Sequence, residues 1–174
     1  QSRPGSRLPS APPPVLPPLP RDPFDEQLEV ILEERPPGFS FTFGIPSATQ
    51  LAALKERGIF VAGTATTVEE ARRLQLAGAD AIVAQGAEAG AHRGTFAGPF
   101  ADSMVPLATL VREIRNSVAA PVIASGGIMD GRDVAAATKV GAAAVQLGTA
   151  FLPCPESGAP PVYKRALLDA ETDS

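Results

Sequence analysis

The chain has 174 residues, of which 44% are hydrophobic and 20% are charged, so it can bury a core of domain size and is mostly globular. Its formal net charge is -4 and its lysines and arginines are not clustered, which argues against a nucleic-acid partner. No apolar run approaches the roughly 20 residues of a membrane span, so we expect no membrane association. The single cysteine, Cys154, cannot form an internal disulfide, which favours a cytoplasmic location.

Proline divides the chain into two parts. Residues 1–23 contain nine of the 19 prolines. Because proline lacks a main-chain N–H and favours an extended chain, we predict a disordered tail or linker over this segment. Residues 24–174 alternate between helix and strand patterns, and we predict that they form one domain.

The predicted helices carry an apolar face or follow a capping residue, and the predicted strands are short apolar or β-branched runs. Ser47 with Gln50, and Thr67 with Glu70, fit capping boxes, and Asp130 is placed to cap a later helix. In chain order we predict helix 24–34, strand 39–43, helix 47–58, strand 59–64, helix 67–78, strand 81–84, helix 104–118, strand 121–124, helix 131–140 and strand 144–147.

This alternation predicts the α/β class, with a parallel sheet covered by helices. Five successive units are consistent with a TIM-type (β/α)₈ barrel or with a doubly wound sheet. A complete barrel takes about 250 residues. We therefore expect an incomplete barrel in this chain, with about five parallel strands of the ideal eight.

Two glycine-containing loops follow consecutive predicted strands. The first contains Gly126-Gly127, and the second is Gln146-Leu147-Gly148-Thr149. Glycine lets the backbone approach a ligand closely, and free N–H groups beside the start of the next helix suit a phosphate. We predict a phosphate site between these loops. The sequence shows neither a P-loop nor a dinucleotide fingerprint, and no residues at metal-ligand spacing.

The only histidine, His92, lies in a loop punctuated by glycines that follows the strand at 81–84. Histidine side chains are the usual general acids and bases near neutral pH, and a charged imidazole would attract an anionic substrate. Gln85, at the strand end, is placed either to hydrogen-bond a ring system or to cap the strand. We expect Glu88 to orient the imidazole. Arg93 is placed to bind either an anion or a neighbouring carboxylate, and we favour the carboxylate.

In this order, these segments resemble the nitronate monooxygenase family from Phe24 to the C-terminus. The resemblance implies a TIM-barrel oxidoreductase that uses FMN and molecular oxygen to convert alkyl nitronates into a carbonyl compound and nitrite. The segments that carry it are Phe39-Ser40-Phe41-Thr42-Phe43-Gly44, the loop from Ala84 to Gly94, the segment from Pro121 to Gly131, and Gln146-Leu147-Gly148-Thr149-Ala150-Phe151.

The resemblance also implies roles for single residues. His92 would be the catalytic residue beside the nitronate or nitroalkane. The flavin contacts would be Gln85 and Gly90, and those to the ribityl phosphate side would be Gly127, Gln146, Leu147, Gly148 and Thr149. The family usually has a second glycine where this chain has Ala91, and strands that supply further flavin contacts are missing. We therefore expect FMN to bind poorly to these 174 residues alone.

Three other functions fit parts of the pattern. An FMN-dependent enoyl-acyl-carrier-protein reductase shares the fold and a similar histidine loop, but Gln85 in place of an acid favours the monooxygenase. A non-catalytic remnant, or a binding module built around the proline-rich tail, is a second alternative. A sugar-phosphate enzyme is less favoured, because no lysine or paired carboxylates follow the strands. The sequence indicates neither the physiological nitronate nor the oligomeric state.

Overall fold

A computed structural model describes residues 23–90 and 92–170. The predicted tail over residues 1–23 lies outside the described residues except for Pro23. The elements in chain order are α1 (Phe24–Glu34), β1 (Gly38–Phe41), α2 (Ala48–Glu56), β2 (Phe60–Ala65), α3 (Val68–Leu76), β3 (Ala81–Gln85), α4 (Leu107–Arg115), β4 (Val122–Ser125), α5 (Gly131–Lys139), β5 (Ala144–Gln146) and α6 (Pro161–Asp169). Short 3₁₀ helices span Phe100–Ser103 and Thr149–Phe151.

The strands form one parallel sheet in the order β1-β2-β3-β4-β5. Each new strand is added on the same side of the previous one, as in a barrel. A doubly wound sheet reverses its strand order at a switch point, and this sheet does not. Over residues 23–90 and 92–170 the fold is therefore a partial TIM-type barrel with five of the usual eight strands, as the sequence predicts.

The two faces of the sheet have different neighbours because side chains alternate along a strand. Residues such as Val61 and Ile82 point outward and form the main core with the helices, including Leu54 of α2 and Leu110 of α4. The inner face carries a smaller apolar cluster of Ala62, Ala81, Val83 and Ile123.

The inner face becomes polar where the strands end. Gln85 shares its face with Ala81 and Val83, and it pairs in register with Ser125, which pairs with Gln146. Three polar side chains from adjacent strands thus form one row at the carboxyl edge of the sheet. This is the edge at which TIM-type barrels hold their active sites.

Each of the three predicted capping residues directly precedes a helix, but one of the two predicted capping boxes is incomplete. Ser47 and Gln50 form a complete capping box at α2, and Asp130 and Asp133 form another at α5. At α3, Thr67 accepts a hydrogen bond from the N–H of Glu70, but the Glu70 side chain does not return to Thr67. The second predicted capping box is therefore only half formed.

Other boundaries differ from the prediction by a few residues. The helix predicted over 104–118 is confined to Leu107–Arg115, directly after Pro106. Strand β1 ends at Phe41, because Phe43 has a φ of 70°, which a strand cannot accommodate. Helix α6 was not predicted. Within residues 23–90 and 92–170, no helix has the length and apolarity to cross a bilayer.

Candidate functional site

A cleft of about 690 Å³ lies at the carboxyl edge of the sheet, between the loops that follow β3, β4 and β5. Six of the seven residues predicted to bind the cofactor line it: Gln85, Gly90, Gly127, Gln146, Gly148 and Thr149. The seventh, Leu147, packs its side chain against the main core instead. The structure therefore brings the predicted glycine loops together in one concave site.

The loop after β4 requires its two glycines. Gly126 and Gly127 have φ values of 126° and 66°. A Cβ on Gly126 would lie 2.9 Å from the main-chain nitrogen of Ala89, and one on Gly127 would lie 3.0 Å from the Cβ of Glu88. The loop after β4 is thus in direct contact with residues 86–99, the loop after β3 that contains His92 and is called the histidine loop below. Only glycine permits this contact here.

The histidine loop also reaches the loop after β5. A Cβ on Gly90 would lie 3.6 Å from the Oγ1 atom of Thr149. Among the described residues, the side chains of Ser125, Gln146 and Thr149 have no hydrogen-bond partner, although all three line the cleft. The cleft therefore offers several uncommitted polar groups to a small molecule.

The start of α5 contributes less to this site than the sequence suggests. Asp130 accepts hydrogen bonds from the N–H groups of Arg132 and Asp133, and Asp133 accepts from those of Met129 and Asp130. The bonds from Asp133 and Arg132 lower the pKa of Asp130, so its carboxyl group is ionised at neutral pH. Because two carboxylates already occupy this helix end, an anion in the cleft depends on the main-chain N–H groups of the glycine loops.

Gln85 is buried and engages the histidine loop at two points. Its Nε2 donates to the main-chain carbonyl of His92 at 3.0 Å, and its Oε1 accepts from the N–H of Gly94 at 2.8 Å. The side chain thus secures the loop to the end of β3 and leaves one N–H and one lone pair for another partner.

Arg93 secures the same strand end from the opposite direction. Its guanidinium donates to the main-chain carbonyls of Gln85 at 2.7 Å and Gly86 at 2.6 Å. The prediction that Arg93 binds a carboxylate directly is therefore wrong. Burial lowers the pKa of Arg93, and the negative charges of Glu88 and Glu70 oppose this shift.

His92, the predicted catalytic residue, is exposed and is not among the residues that line the cleft. Its ring packs edge-on against Phe43, with centroids 6.4 Å apart and planes at 74°. The prediction that Glu88 orients the imidazole is wrong, because its carboxylate accepts from the N–H of Leu107 at 2.9 and 3.0 Å. Glu88 thus caps α4.

One buried acid outside the cleft contacts residues 95–97, and the sequence does not indicate this role. Glu70 is fully buried, and its carboxylate binds the N–H groups of Thr66, Phe96 and Ala97. Burial raises the pKa of this group, but the hydrogen bonds from Phe96, Thr66 and Ala97 outweigh burial and lower it. The only sequence signal was its place in the Thr67 capping-box pattern, which predicts a different partner.

Together, the fold and the cleft define a class of protein. It is a partial TIM-type barrel in which two glycine loops and a loop that contains a histidine follow the strands at one edge of the sheet. The chain belongs to the nitronate monooxygenase family, whose model matches residues 14–174. The family predicted from the sequence is thereby confirmed.

Curated relatives agree with this assignment. The chain is 51% identical over 140 residues to nitronate monooxygenase of Pseudomonas aeruginosa, a match covering 80% of this chain and 40% of the relative. It is 45% identical over 165 residues to the probable nitronate monooxygenase of Staphylococcus saprophyticus, covering 92% and 46%. The chain spans less than half the length of these relatives.

Solved structures show the same fold. A nitroalkane oxidase from Streptomyces ansochromogenes is 47% identical with a TM-score of 0.79, over 84% of this chain and 43% of that one. FabK from Thermotoga maritima is 39% identical with a TM-score of 0.75, over 87% and 46%.

Proposed function

We propose that this chain forms part of an FMN-dependent enzyme that oxidises alkyl nitronates with molecular oxygen, yielding a carbonyl compound and nitrite. The observation that carries the proposal is the convergence of the histidine loop and both glycine loops on one cleft, in a member of the nitronate monooxygenase family. The chain spans less than half of its relatives' length, so we assign the activity to the protein and partial roles to these residues.

The cleft fits a flavin mononucleotide in size and chemistry. Ligand clefts typically enclose roughly 300–1,000 Å³, and this one encloses about 690 Å³. Among the described residues, the N–H groups of Gly126, Gly127, Gly148 and Thr149 donate to no main-chain carbonyl, so they are available to a phosphate. The contacts that glycine alone permits at Gly126 and Gly127 keep these N–H groups in place.

We assign the cofactor contacts accordingly. Gly127, Gly148 and Thr149 would hold the phosphate side together with Gln146, and Leu147 can contribute only main-chain atoms because its side chain is in the core. The contacts to the flavin ring would be made by Gln85 and Gly90. When bound, FMN supplies the redox chemistry, accepting electrons from the nitronate and passing them to oxygen.

His92 would act on the substrate. Its main-chain carbonyl is fixed by Gln85, while its ring makes no hydrogen bond within the described part of the chain, so both ring nitrogens are available. A protonated ring attracts the nitronate anion, and a neutral ring accepts the α-proton of a nitroalkane. The adjacent ring of Phe43 offers an apolar surface to the alkyl chain.

The test is nitrite release and oxygen consumption by the FMN-loaded protein with an alkyl nitronate. We expect His92→Gln to lower turnover by roughly 10²–10⁴-fold, because it removes a proton acceptor and a positive charge. Arg132→Gln is the control, since Arg132 lies outside the cleft and is almost fully exposed. Unchanged nitrite release by His92→Gln would refute the role of this residue.

The second candidate is the enoyl-acyl-carrier-protein reductase, which the similarity to FabK supports. Oxidation of NAD(P)H that depends on an enoyl thioester would identify the reductase, whereas oxygen consumption with a nitronate and no nicotinamide would identify the monooxygenase. A folded protein without flavin absorbance would indicate a non-catalytic remnant. We propose the cytoplasm as the compartment, since Cys154 is a free thiol.

A further inference from the structure

Three chain segments meet at the buried carboxylate of Glu70. One oxygen, Oε2, accepts from the N–H and the hydroxyl of Thr66, both at 2.7 Å. The other, Oε1, accepts from the hydroxyl of Thr95 at 2.9 Å and from the N–H groups of Phe96 at 2.6 Å and Ala97 at 2.9 Å. Five donors thus converge on one side chain, and three of them belong to the histidine loop.

Helix α3 does not need this carboxylate for its own start. Its capping hydrogen bond is made by the Thr67 hydroxyl, which accepts from the N–H of Glu70. A buried charge is costly unless hydrogen bonds satisfy it, and bonds to an ionised group are about twice as strong as neutral ones. The carboxylate of Glu70 is therefore not needed to begin α3, and three of its five hydrogen bonds bind residues 95–97.

The bonds from Glu70 complete a two-ended attachment of the histidine loop. Gln85 binds the main chain at His92 and Gly94, and Glu70 binds it at Phe96 and Ala97 and also binds the hydroxyl of Thr95. Arg93, between these points, donates to the main-chain carbonyls at the end of β3, and the negative charges of Glu88 and Glu70 favour its charged form. The main chain from residue 92 to residue 97 is thus fixed from two elements, β3 and α3.

We propose that Glu70 is a positioning residue for His92. By fixing the loop three residues beyond the histidine, Glu70 holds the imidazole against Phe43. The catalytic meaning of this position rests on the proposed function of His92. The position itself is a structural property that can be measured without any activity.

The position can be observed directly, because His92 is the only histidine of the sequence. In the 174-residue chain labelled with ¹³C, it gives a single Cε1–Hε1 signal, which the Phe43 ring shifts from its random-coil position. We expect Glu70→Gln to move this signal toward the random-coil position. Both carboxylate oxygens accept hydrogen bonds, so the NH₂ group that replaces one of them faces N–H or O–H donors in either orientation, and the remaining bonds lose the negative charge. An unmoved signal in a variant with an unchanged circular dichroism spectrum would overturn the proposal.

Glu69→Gln is the matched control. Glu69 precedes Glu70 on the same helix and loses the same charge, but it is 54% exposed and pairs with Arg73. We expect its substitution to leave the His92 signal in place. An equal movement in Glu69→Gln would overturn the proposal, because the effect would then come from charge or helix stability.

If Glu70→Gln does not fold, Thr95→Val tests whether the bonds from Glu70 position His92. This substitution keeps the carboxylate and its bonds to Thr66, and it removes one donor of the loop. We expect a smaller movement of the His92 signal in the same direction, and no movement would overturn the proposal.

The activity of the FMN-loaded protein separates this inference from the proposed function. Glu70→Gln should lower kcat for nitronate oxidation by about 10- to 100-fold with unchanged FMN affinity, because a displaced imidazole is misaligned with the substrate. If the signal moves as expected but even the unmodified protein oxidises no nitronate, the proposed function fails and the positioning by Glu70 stands.

Discussion

The side-chain amide of Gln85 donates to the main-chain carbonyl of His92 at 3.0 Å, so the last residue of β3 holds the loop that follows it. The same amide accepts from Gly94, two residues further on. Neither bond involves the imidazole. The histidine backbone is therefore fixed while its ring remains exposed, as expected for a residue that meets a ligand.

Removing the Gln85 amide should destabilise the fold. In Gln85→Leu, the carbonyl of His92 and the N–H of Gly94 lose their partner, and a buried N–H without a partner costs about 1–3 kcal/mol. We expect a loss of this size in the free energy of unfolding, measured by urea denaturation. The control is Gln27→Leu, an exposed position on α1. Equal unfolding curves for the two variants would contradict this reading of Gln85.

The sequence predicts the barrel segment well because its signals are local. The apolar runs and their spacing lie within single βα units, and the Ser47–Gln50 capping box spans four residues. The glycine loops are also local features that follow strands. Because the carboxyl ends of parallel strands share one edge, their convergence follows from the topology.

The attachments of the histidine loop could not be predicted in the same way. Glu70 accepts from the hydroxyl of Thr95, 25 positions further along the chain, and from the main-chain N–H groups of Phe96 and Ala97. Every residue type except proline provides such an N–H. Arg93 binds main-chain carbonyls, which every residue has, so the sequence does not indicate its partners. Side chains bonded to distant main-chain atoms leave no residue pattern, and only the tertiary structure reveals them.

Acidification should reduce the contribution of Glu70 to stability. Its hydrogen bonds hold the folded-state pKa below the unfolded value of about 4.3, despite the opposing effect of burial. The contribution is therefore fully present above pH 4.3 or so and is lost as the pH falls through the lower, folded-state pKa.

The difference in unfolding free energy between the unmodified chain and Glu70→Gln should consequently shrink on acidification from neutral pH. Urea denaturation over this range measures it. The pKa values of Asp80 and Asp130 are also lowered, but both proteins share these groups, so their contributions cancel. A difference that stays constant with pH would show that the charge of Glu70 does not stabilise the fold.

Gly126→Ala should destabilise the loop after β4. At a φ of 126° an alanine is strained, and its Cβ would meet the nitrogen of Ala89 at 2.9 Å. Residues in such disfavoured conformations cost roughly 1–3 kcal/mol each. We expect a lower Tm by thermal denaturation, together with weaker FMN binding, because the two loops must separate.

Gly131→Ala provides the comparison for Gly126→Ala. Gly131 is the first residue of α5, and a Cβ there meets nothing within 4 Å. Replacing glycine at a compatible helical position typically stabilises a protein by about 0.4–1 kcal/mol. The two substitutions should therefore shift Tm in opposite directions, and equal shifts would argue against a tight contact between the β4 loop and the histidine loop.

Glu88→Gln should strengthen FMN binding. Glu88 lines the cleft, and among the described residues that line it there is no lysine or arginine, so the phosphate of FMN would meet a negative charge without a compensating cation. Removing the repulsion between two unit charges in one partly solvated cleft is worth on the order of 1 kcal/mol, which is a several-fold gain in affinity. The neutral amide can still accept from the N–H of Leu107, although α4 loses a favourable charge at its start.

Flavin fluorescence titrations measure this gain, and riboflavin serves as the matched ligand because it lacks the phosphate. The affinity for FMN should rise in Glu88→Gln while that for riboflavin stays the same. The gain should diminish at high salt, where the interaction is screened. An equal gain for riboflavin would place the effect of Glu88 on the flavin ring and not on the phosphate, contrary to the assignment of the glycine loops as the phosphate site.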